Sequence, residues 1–109
     1  MSGASELTYT EVVDLLDGLI GGPTAYVGFH GAFWRGKTRD EFVATGPISN
    51  VTPVVAGDSE ASGIVHALRG TGPFDPVNGR IPRMPPFGAN MSEESIVALA
   101  RWIDAGCPE

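Results

Sequence analysis

Two amphipathic stretches near the ends of the chain restrict this sequence to a helical fold. One runs from Val12 to Ile20 and the other from Ile96 to Ile103, and their apolar residues recur at the spacing of one α-helical face. A helix with one apolar face must bury that face against another element. No alternating apolar pattern is long enough to supply a sheet for this purpose, so the sequence predicts an all-α protein.

Capping residues divide the chain into four predicted helices. Thr8-Tyr9-Thr10-Glu11 and Thr38-Arg39-Asp40-Glu41 both have the pattern of a capping box, in which hydroxyl and carboxylate each accept a hydrogen bond from a backbone N–H. Glycines and prolines provide the stops. Together these signals predict helices at about 9–20, from Thr38 to near Gly46-Pro47, from Asp58 or Ser59 to Gly70 (with Ile64, Val65 and Leu68 facing inward), and from Ser92 to Gly106.

Two long segments without helical periodicity connect these helices, at about 21–37 and 70–91. Fifteen glycines and nine prolines explain why the helices are short and the connections long, since both residues interrupt regular structure. Loops of this length inside a small domain are usually functional. The candidate site residues are therefore expected in these two loops.

The length and charge of the chain exclude several classes of function. At 109 residues there is room for one domain, 1–109, with a flexible N-terminus at 1–6. A formal net charge of −6 without a basic stripe argues against nucleic-acid binding. No apolar run approaches the roughly 20 residues that span a membrane. Because the first residues lack a leader pattern and the single cysteine, Cys107, suits a reducing compartment, we expect a cytoplasmic protein.

Three stretches of the sequence, taken in chain order, have the pattern of a known domain. The first is Thr8–Asp14 and the second is Val55–Ser62. The third is C-terminal and consists of Arg83–Gly88, Ser92-Glu93-Glu94 and Ala100–Gly106. Together they resemble a class I cytochrome c domain of the small bacterial, planctomycete type over nearly the whole chain. The resemblance implies about four short helices with long loops. It also implies that the C-terminal helix packs across the first. From the helical register we expect the two helices to pack face to face, with Leu16, Leu99 and Ile103 among the contacts and Trp102 covering one edge.

The haem-attachment motif of that family is altered in this chain. The motif in that family is the pentapeptide C-x-x-C-H, and the corresponding residues in this chain are Tyr26-Val27-Gly28-Phe29-His30. Both thioether-forming cysteines are replaced by aromatic residues, so haem cannot be attached covalently at this position. The resemblance assigns the proximal histidine to His30 and the distal methionine to Met84. We therefore expect a cytochrome c-like fold that is free of haem and of any other cofactor.

Non-covalent haem is the alternative for this pocket. His30 and Met84 would then supply the His/Met ligation found in cytochromes c, and no other metal ligands are expected. The side chains of Tyr26 and Phe29 are much larger than cysteine, however. Their rings would intrude where the porphyrin edge meets its thioethers.

His30 and Tyr26 are the candidate catalytic residues. An unperturbed histidine pKa of about 6.5 suits proton transfer in both directions, and a phenol can donate a hydrogen bond to a substrate. The alternative for His30 is a structural hydrogen bond to a loop carbonyl. The candidate substrate-binding residues, which could equally be packing or solvated side chains, are Phe29, Trp34, Arg80, Arg83, Met84 and Phe87.

Three classes of function are open at this stage, and the oligomeric state is open as well. In the first, the former haem pocket binds or converts a small organic molecule by cofactor-independent acid/base chemistry. As an enzyme, the protein would then be a lyase or an isomerase, catalysing an elimination, hydration, isomerisation or cyclisation. In the second, it is a non-covalent haem b protein for electron transfer or sensing. In the third, it is a degenerate interaction module whose pocket has collapsed around aromatic side chains.

Overall fold

A computed structural model describes residues 7–22, 33–48, 50–75, 77, 79, 81, 84 and 91–109. Within these ranges the protein is helical, and extended backbone pairs only in one isolated antiparallel bridge between Ile48 and Val51. The elements are α1 (Tyr9–Ile20), α2 (Arg39–Val43), α3 (Gly63–Arg69), α4 (Glu93–Asp104), and two 3₁₀ turns at Ser59–Ala61 and Gly72–Phe74. The all-α prediction is confirmed for this part of the chain. No helix in it has the length and apolar character needed to cross a bilayer.

Both predicted capping boxes are present. At the start of α1 the Glu11 N–H donates to the Thr8 hydroxyl over 3.2 Å, and the Thr8 N–H donates to the Glu11 carboxylate over 2.9 Å. The same reciprocal pair starts α2, with distances of 3.1 and 2.8 Å between Thr38 and Glu41. The hydrogen bonds from Thr38 stabilise the charged carboxylate and lower the pKa of Glu41. α1 ends as predicted at Gly21, which is left-handed with a φ of 106°.

α2 is shorter than the sequence predicts. It ends at Val43 rather than near Gly46-Pro47. The Thr45 hydroxyl donates to the Phe42 carbonyl over 2.7 Å, so that carbonyl is satisfied locally without a further helical turn. Phe42 is fully buried, and Val43 is half-buried.

The predicted third helix is divided into a 3₁₀ turn and an α-helix. Asp58 is the N-cap of the turn, as predicted, but the helix is interrupted at Ser62, whose backbone is extended (φ −86°, ψ 115°). The buried Ser62 hydroxyl accepts from the Val55 N–H and donates to the Asp58 carbonyl. These bonds compete with the helical pattern, and α3 begins only after them. The predicted inward side chains of α3 are buried: Ile64, Val65 and Leu68.

Aromatic rings from three helices meet at the centre of the core. The ring of Tyr9 lies 5.7 Å from that of Phe42 and 6.3 Å from that of Trp102, and the latter two lie 6.2 Å apart. Phe33, in the segment before α2, also stacks on Phe42, and the two ring centroids lie 6.0 Å apart. Trp102, which we expected to cover one edge of the interface between the first and last helices, lies within this core. Its side chain is fully buried, and its indole N–H donates to the Pro108 carbonyl over 2.8 Å.

α4 packs most closely on α3 and on the Ser59–Ala61 turn, and less closely on α1 than expected. It meets α1 through side chains, above all in the contact between Tyr9 and Trp102. Three further residues of the expected interface are buried in the same core: Leu16, Leu99 and Ile103. The first and last helices therefore share one core, although the backbone of α4 lies nearer to α3 than to α1.

Replacing Leu99 with alanine should lower the free energy of unfolding by about 2–5 kcal/mol, because the side chain has no exposed surface and its removal leaves a cavity. The matched control is Arg101→Ala, an exposed position on the same helix, which should change stability by no more than about 0.5 kcal/mol. Urea unfolding measures both. Equal effects of the two substitutions would contradict the register of α4.

Candidate functional site

Most of the predicted site residues lie outside the described part of the chain. These are both candidate catalytic residues and four of the candidate binding residues: Tyr26, Phe29, His30, Arg80, Arg83 and Phe87. Trp34 and Met84 are described. The site is therefore built here from these two side chains and from the described residues at the borders of the two loops.

Trp34 is held against α1 by a buried carboxylate. Its ring is 6% exposed, and its indole N–H donates to Asp17 Oδ1 over 2.7 Å. Phe33 meets the ring edge-on, with centroids 5.3 Å apart. The only polar atom of Trp34 is thus satisfied within the protein, so a ligand could contact only the ring surface.

Arg35 extends this cluster to the end of α1. Its guanidinium Nε donates to Asp17 Oδ1 over 2.9 Å, and a second nitrogen donates to the Gly22 carbonyl over 2.8 Å. The guanidinium carbon also lies 6.0 Å from the centroid of the Trp34 ring. Asp17, Trp34 and Arg35 form what we call the Asp17 clamp. It joins Gly22, just before residues 23–32, to the residues that follow that segment.

Asp17 was not among the predicted functional residues, although the sequence contains a signal for it. It lies within the helical spacing of Val13, Leu16 and Ile20, on the side of α1 that the apolar stripe occupies. A carboxylate in such a stripe is costly to bury unless it has hydrogen-bonding partners. The position therefore indicates a partner elsewhere, but not that the partners are Trp34 and Arg35.

Met84 is anchored on a different helix. Its side chain is half-buried, and its backbone N–H donates to the Ala67 carbonyl of α3 over 2.8 Å. The described contacts of Trp34 and Met84 thus attach one predicted pocket loop to α1 and the other to α3. None of the described hydrogen bonds or ring contacts joins the two residues directly.

The single cysteine of the chain does not replace the missing thioether cysteines. Cys107 lies just after α4, is fully buried, and belongs to the core cluster. Burial raises the pKa of its thiol, although the nearby Arg39 acts in the opposite direction. The thiol therefore stays protonated at neutral pH, and the residues of this chain do not fit covalent haem attachment.

An open groove between α1 and the start of α4 was also missed by sequence reasoning. It has a volume of about 400 Å³ and is lined by Asp14, Leu15, Gly18, Leu19, Met91, Ser92 and Ser95. A Cβ at Gly18 would meet no atom within 4 Å apart from its chain neighbours and the backbone of its own helix, so the groove has free space at this position. Its described lining has one carboxylate and two hydroxyls and no imidazole.

Comparison with known proteins adds no relative. No protein family model, curated protein or solved structure matches this chain. Within the described ranges, no group of three histidine, cysteine, aspartate or glutamate side chains is placed to hold a metal ion. The argument for function therefore depends on the chain's own residues.

Replacing Asp17 with alanine should destabilise the protein, because two donors lose their acceptor. Removing one partner of a buried ion pair costs about 3–5 kcal/mol, and the lower end applies because the Arg35 side chain is 25% exposed. Trp34→Phe, which deletes one donor and keeps a ring, should cost less. Asp14→Ala, an exposed aspartate of the same helix, should change stability by about 0.5 kcal/mol at most. Urea unfolding measures these effects. If Asp14→Ala and Asp17→Ala lower the free energy of unfolding equally, the Asp17 clamp contributes nothing to stability.

Proposed function

We propose that this protein is a haem-free cytochrome c-like protein that binds a small organic molecule between its two long loops. If it is an enzyme, it acts by cofactor-independent proton transfer, as a lyase or an isomerase. In this proposal His30 is the general base and Tyr26 donates a hydrogen bond to the substrate. Phe29, Trp34, Arg80, Arg83, Met84 and Phe87 would line the pocket.

The observation that carries the proposal is the anchoring of both loops to the helical core. The Asp17 clamp joins the two borders of residues 23–32. The Met84 N–H attaches the second loop to the Ala67 carbonyl. Loops fixed at such points can hold a polar group in a defined position at a low entropic cost, which is what a binding site requires.

The absence of suitable thiols favours this proposal over a cytochrome with covalently attached haem. Residues 26 and 29 are aromatic, and the only cysteine is buried after α4. The first proposed step needs no cofactor, because an imidazole near its unperturbed pKa can remove a proton and a phenol can stabilise the negative charge that develops. Trp34 supports a pocket only with its ring, since its N–H is bound to Asp17.

The purified protein should be colourless, without a Soret band, and should bind added haemin only weakly. The reason is that Tyr26 and Phe29 replace the tethering cysteines of the motif, and we expect their larger side chains to leave less space for a porphyrin edge. An absorption titration with haemin measures this, with His30→Ala as the control for axial ligation. A tight one-to-one complex with a His/Met spectrum that His30→Ala abolishes would establish the haem b alternative instead.

The His30→Ala substitution should lower turnover by about 10²–10⁴-fold and leave the melting temperature nearly unchanged, because it removes a general base from a loop. Tyr26→Phe deletes one hydrogen bond and keeps the ring, so it should weaken the substrate interaction by about 0.5–1.5 kcal/mol. A thermal-shift screen with small hydroxy and carbonyl compounds supplies the ligand for both measurements. If His30→Ala unfolds the protein, the histidine is structural. If it changes neither binding nor stability, the interaction-module function is favoured.

A further inference from the structure

A second group of side chains with the chemistry of a reactive site lies at the end of α3 and shares no residue with the Asp17 clamp. His66, near the end of α3, has both ring nitrogens in short polar contacts. Its Nδ1 lies 2.7 Å from the Thr71 hydroxyl, and its Nε2 lies 2.6 Å from the backbone carbonyl of Glu60. Both side chains, His66 and Thr71, are half-buried. A hydroxyl, an imidazole and an orienting acceptor in this order have the arrangement of an activated nucleophile.

The carbonyl of Glu60 determines the roles of the two ring nitrogens. A carbonyl oxygen can only accept a hydrogen bond, so Nε2 must carry the proton that lies between them. In the neutral ring Nδ1 is then unprotonated and accepts from the Thr71 hydroxyl. The tautomer that the backbone selects is therefore the one in which His66 can remove the hydroxyl proton.

The backbone around Thr71 keeps the hydroxyl in place and leaves a donor beside it. The Thr71 N–H donates to the His66 carbonyl over 3.1 Å, which fixes the turn after α3. The next residue, Gly72, is exposed and has a φ of 58°, and a Cβ there would lie 3.4 Å from His66 Nδ1. The Gly72 N–H makes no hydrogen bond to any described residue. A free N–H on the residue after a nucleophile is the kind of group that stabilises an oxyanion in acyl transfer.

We propose that Thr71 is a nucleophile for acyl transfer from activated carboxylic esters, with His66 as its general base. The Thr71 oxygen forms a bond to the ester carbonyl carbon while its proton passes to His66 Nδ1, and the Gly72 N–H donates to the carbonyl oxygen as it becomes negative. The bond to the leaving oxygen then breaks, and that oxygen takes the proton from His66 Nδ1, or departs as an anion while Nδ1 releases its proton to solvent. Nδ1 then removes a proton from water as the water oxygen attacks the acyl carbon. The bond to the Thr71 oxygen breaks, the carboxylic acid leaves, and the proton on Nδ1 returns to the Thr71 oxygen.

The test uses 4-nitrophenyl acetate and the intact chain. Release of 4-nitrophenolate is followed by absorbance, and the acetylated residue is identified by peptide mass spectrometry after acid quenching. We expect acetylation of Thr71, and not of Thr45, whose hydroxyl donates to the Phe42 carbonyl and makes no hydrogen bond to an imidazole among the described residues. Replacing the base with His66→Gln should slow acetylation of Thr71 by about 10²-fold or more.

A pair of substitutions at residue 71 separates catalysis from folding. Thr71→Ser keeps the hydroxyl and should retain acetylation, whereas Thr71→Val has nearly the same shape and should lose it. Thermal melting of both variants reports whether the turn after α3 survives. The proposal is overturned if Thr71 is not acetylated, if Thr71→Val reacts as fast as the natural chain, or if His66→Gln is labelled at an unchanged rate. The proposal is supported if acetylation of residue 71 requires both its own hydroxyl and the imidazole of His66.

Discussion

The contact between Tyr9, Phe42 and Trp102 is the interaction on which the rest of the described structure depends. α2 and α3 are too short to be stable as isolated helices, and α1 and α4 are at the lower limit of what persists in water. The three rings bring α1, α2 and α4 into one apolar centre. The Tyr9 hydroxyl stays satisfied within it by donating to the Lys37 carbonyl over 2.9 Å, and burial raises the pKa of Tyr9.

Local features of the structure followed from the sequence, whereas features that depend on distant partners did not. The capping boxes at Thr8 and Thr38 and the stop at Gly21 were predictable because each is a short-range hydrogen-bonding or conformational requirement. The interruption at Ser62 arises from bonds that its hydroxyl makes to Val55 and Asp58, and nothing in the helical periodicity predicts these. Whether the helix continues through Ser62 or is interrupted there depends on contacts between residues that the helical periodicity does not relate.

The same distinction applies to the candidate site. The sequence predicts a site in the two long loops, a prediction that concerns mostly residues outside the described ranges, but it does not predict that the Trp34 N–H would donate to Asp17. Many different donors can satisfy a buried carboxylate, and the spacing of residues along the chain does not show which donor will lie beside it. His66 is a second example. It is half-buried on α3, and its two polar contacts depend on the turns before and after that helix.

The position of Trp102 in the chain has a consequence for the order in which the protein folds. Tyr9, Phe33 and Phe42 are translated long before Trp102, yet their common centre is completed only when that ring is present. Its indole N–H in turn needs the Pro108 carbonyl, and the Arg39 guanidinium needs the carbonyls of Gly106 and Cys107. During synthesis on the ribosome, the aromatic side chains of α1 and α2 would therefore stay exposed until the last turn of α4 has been translated. Contacts of such sequence separation slow folding and lengthen the time for which apolar surface is exposed.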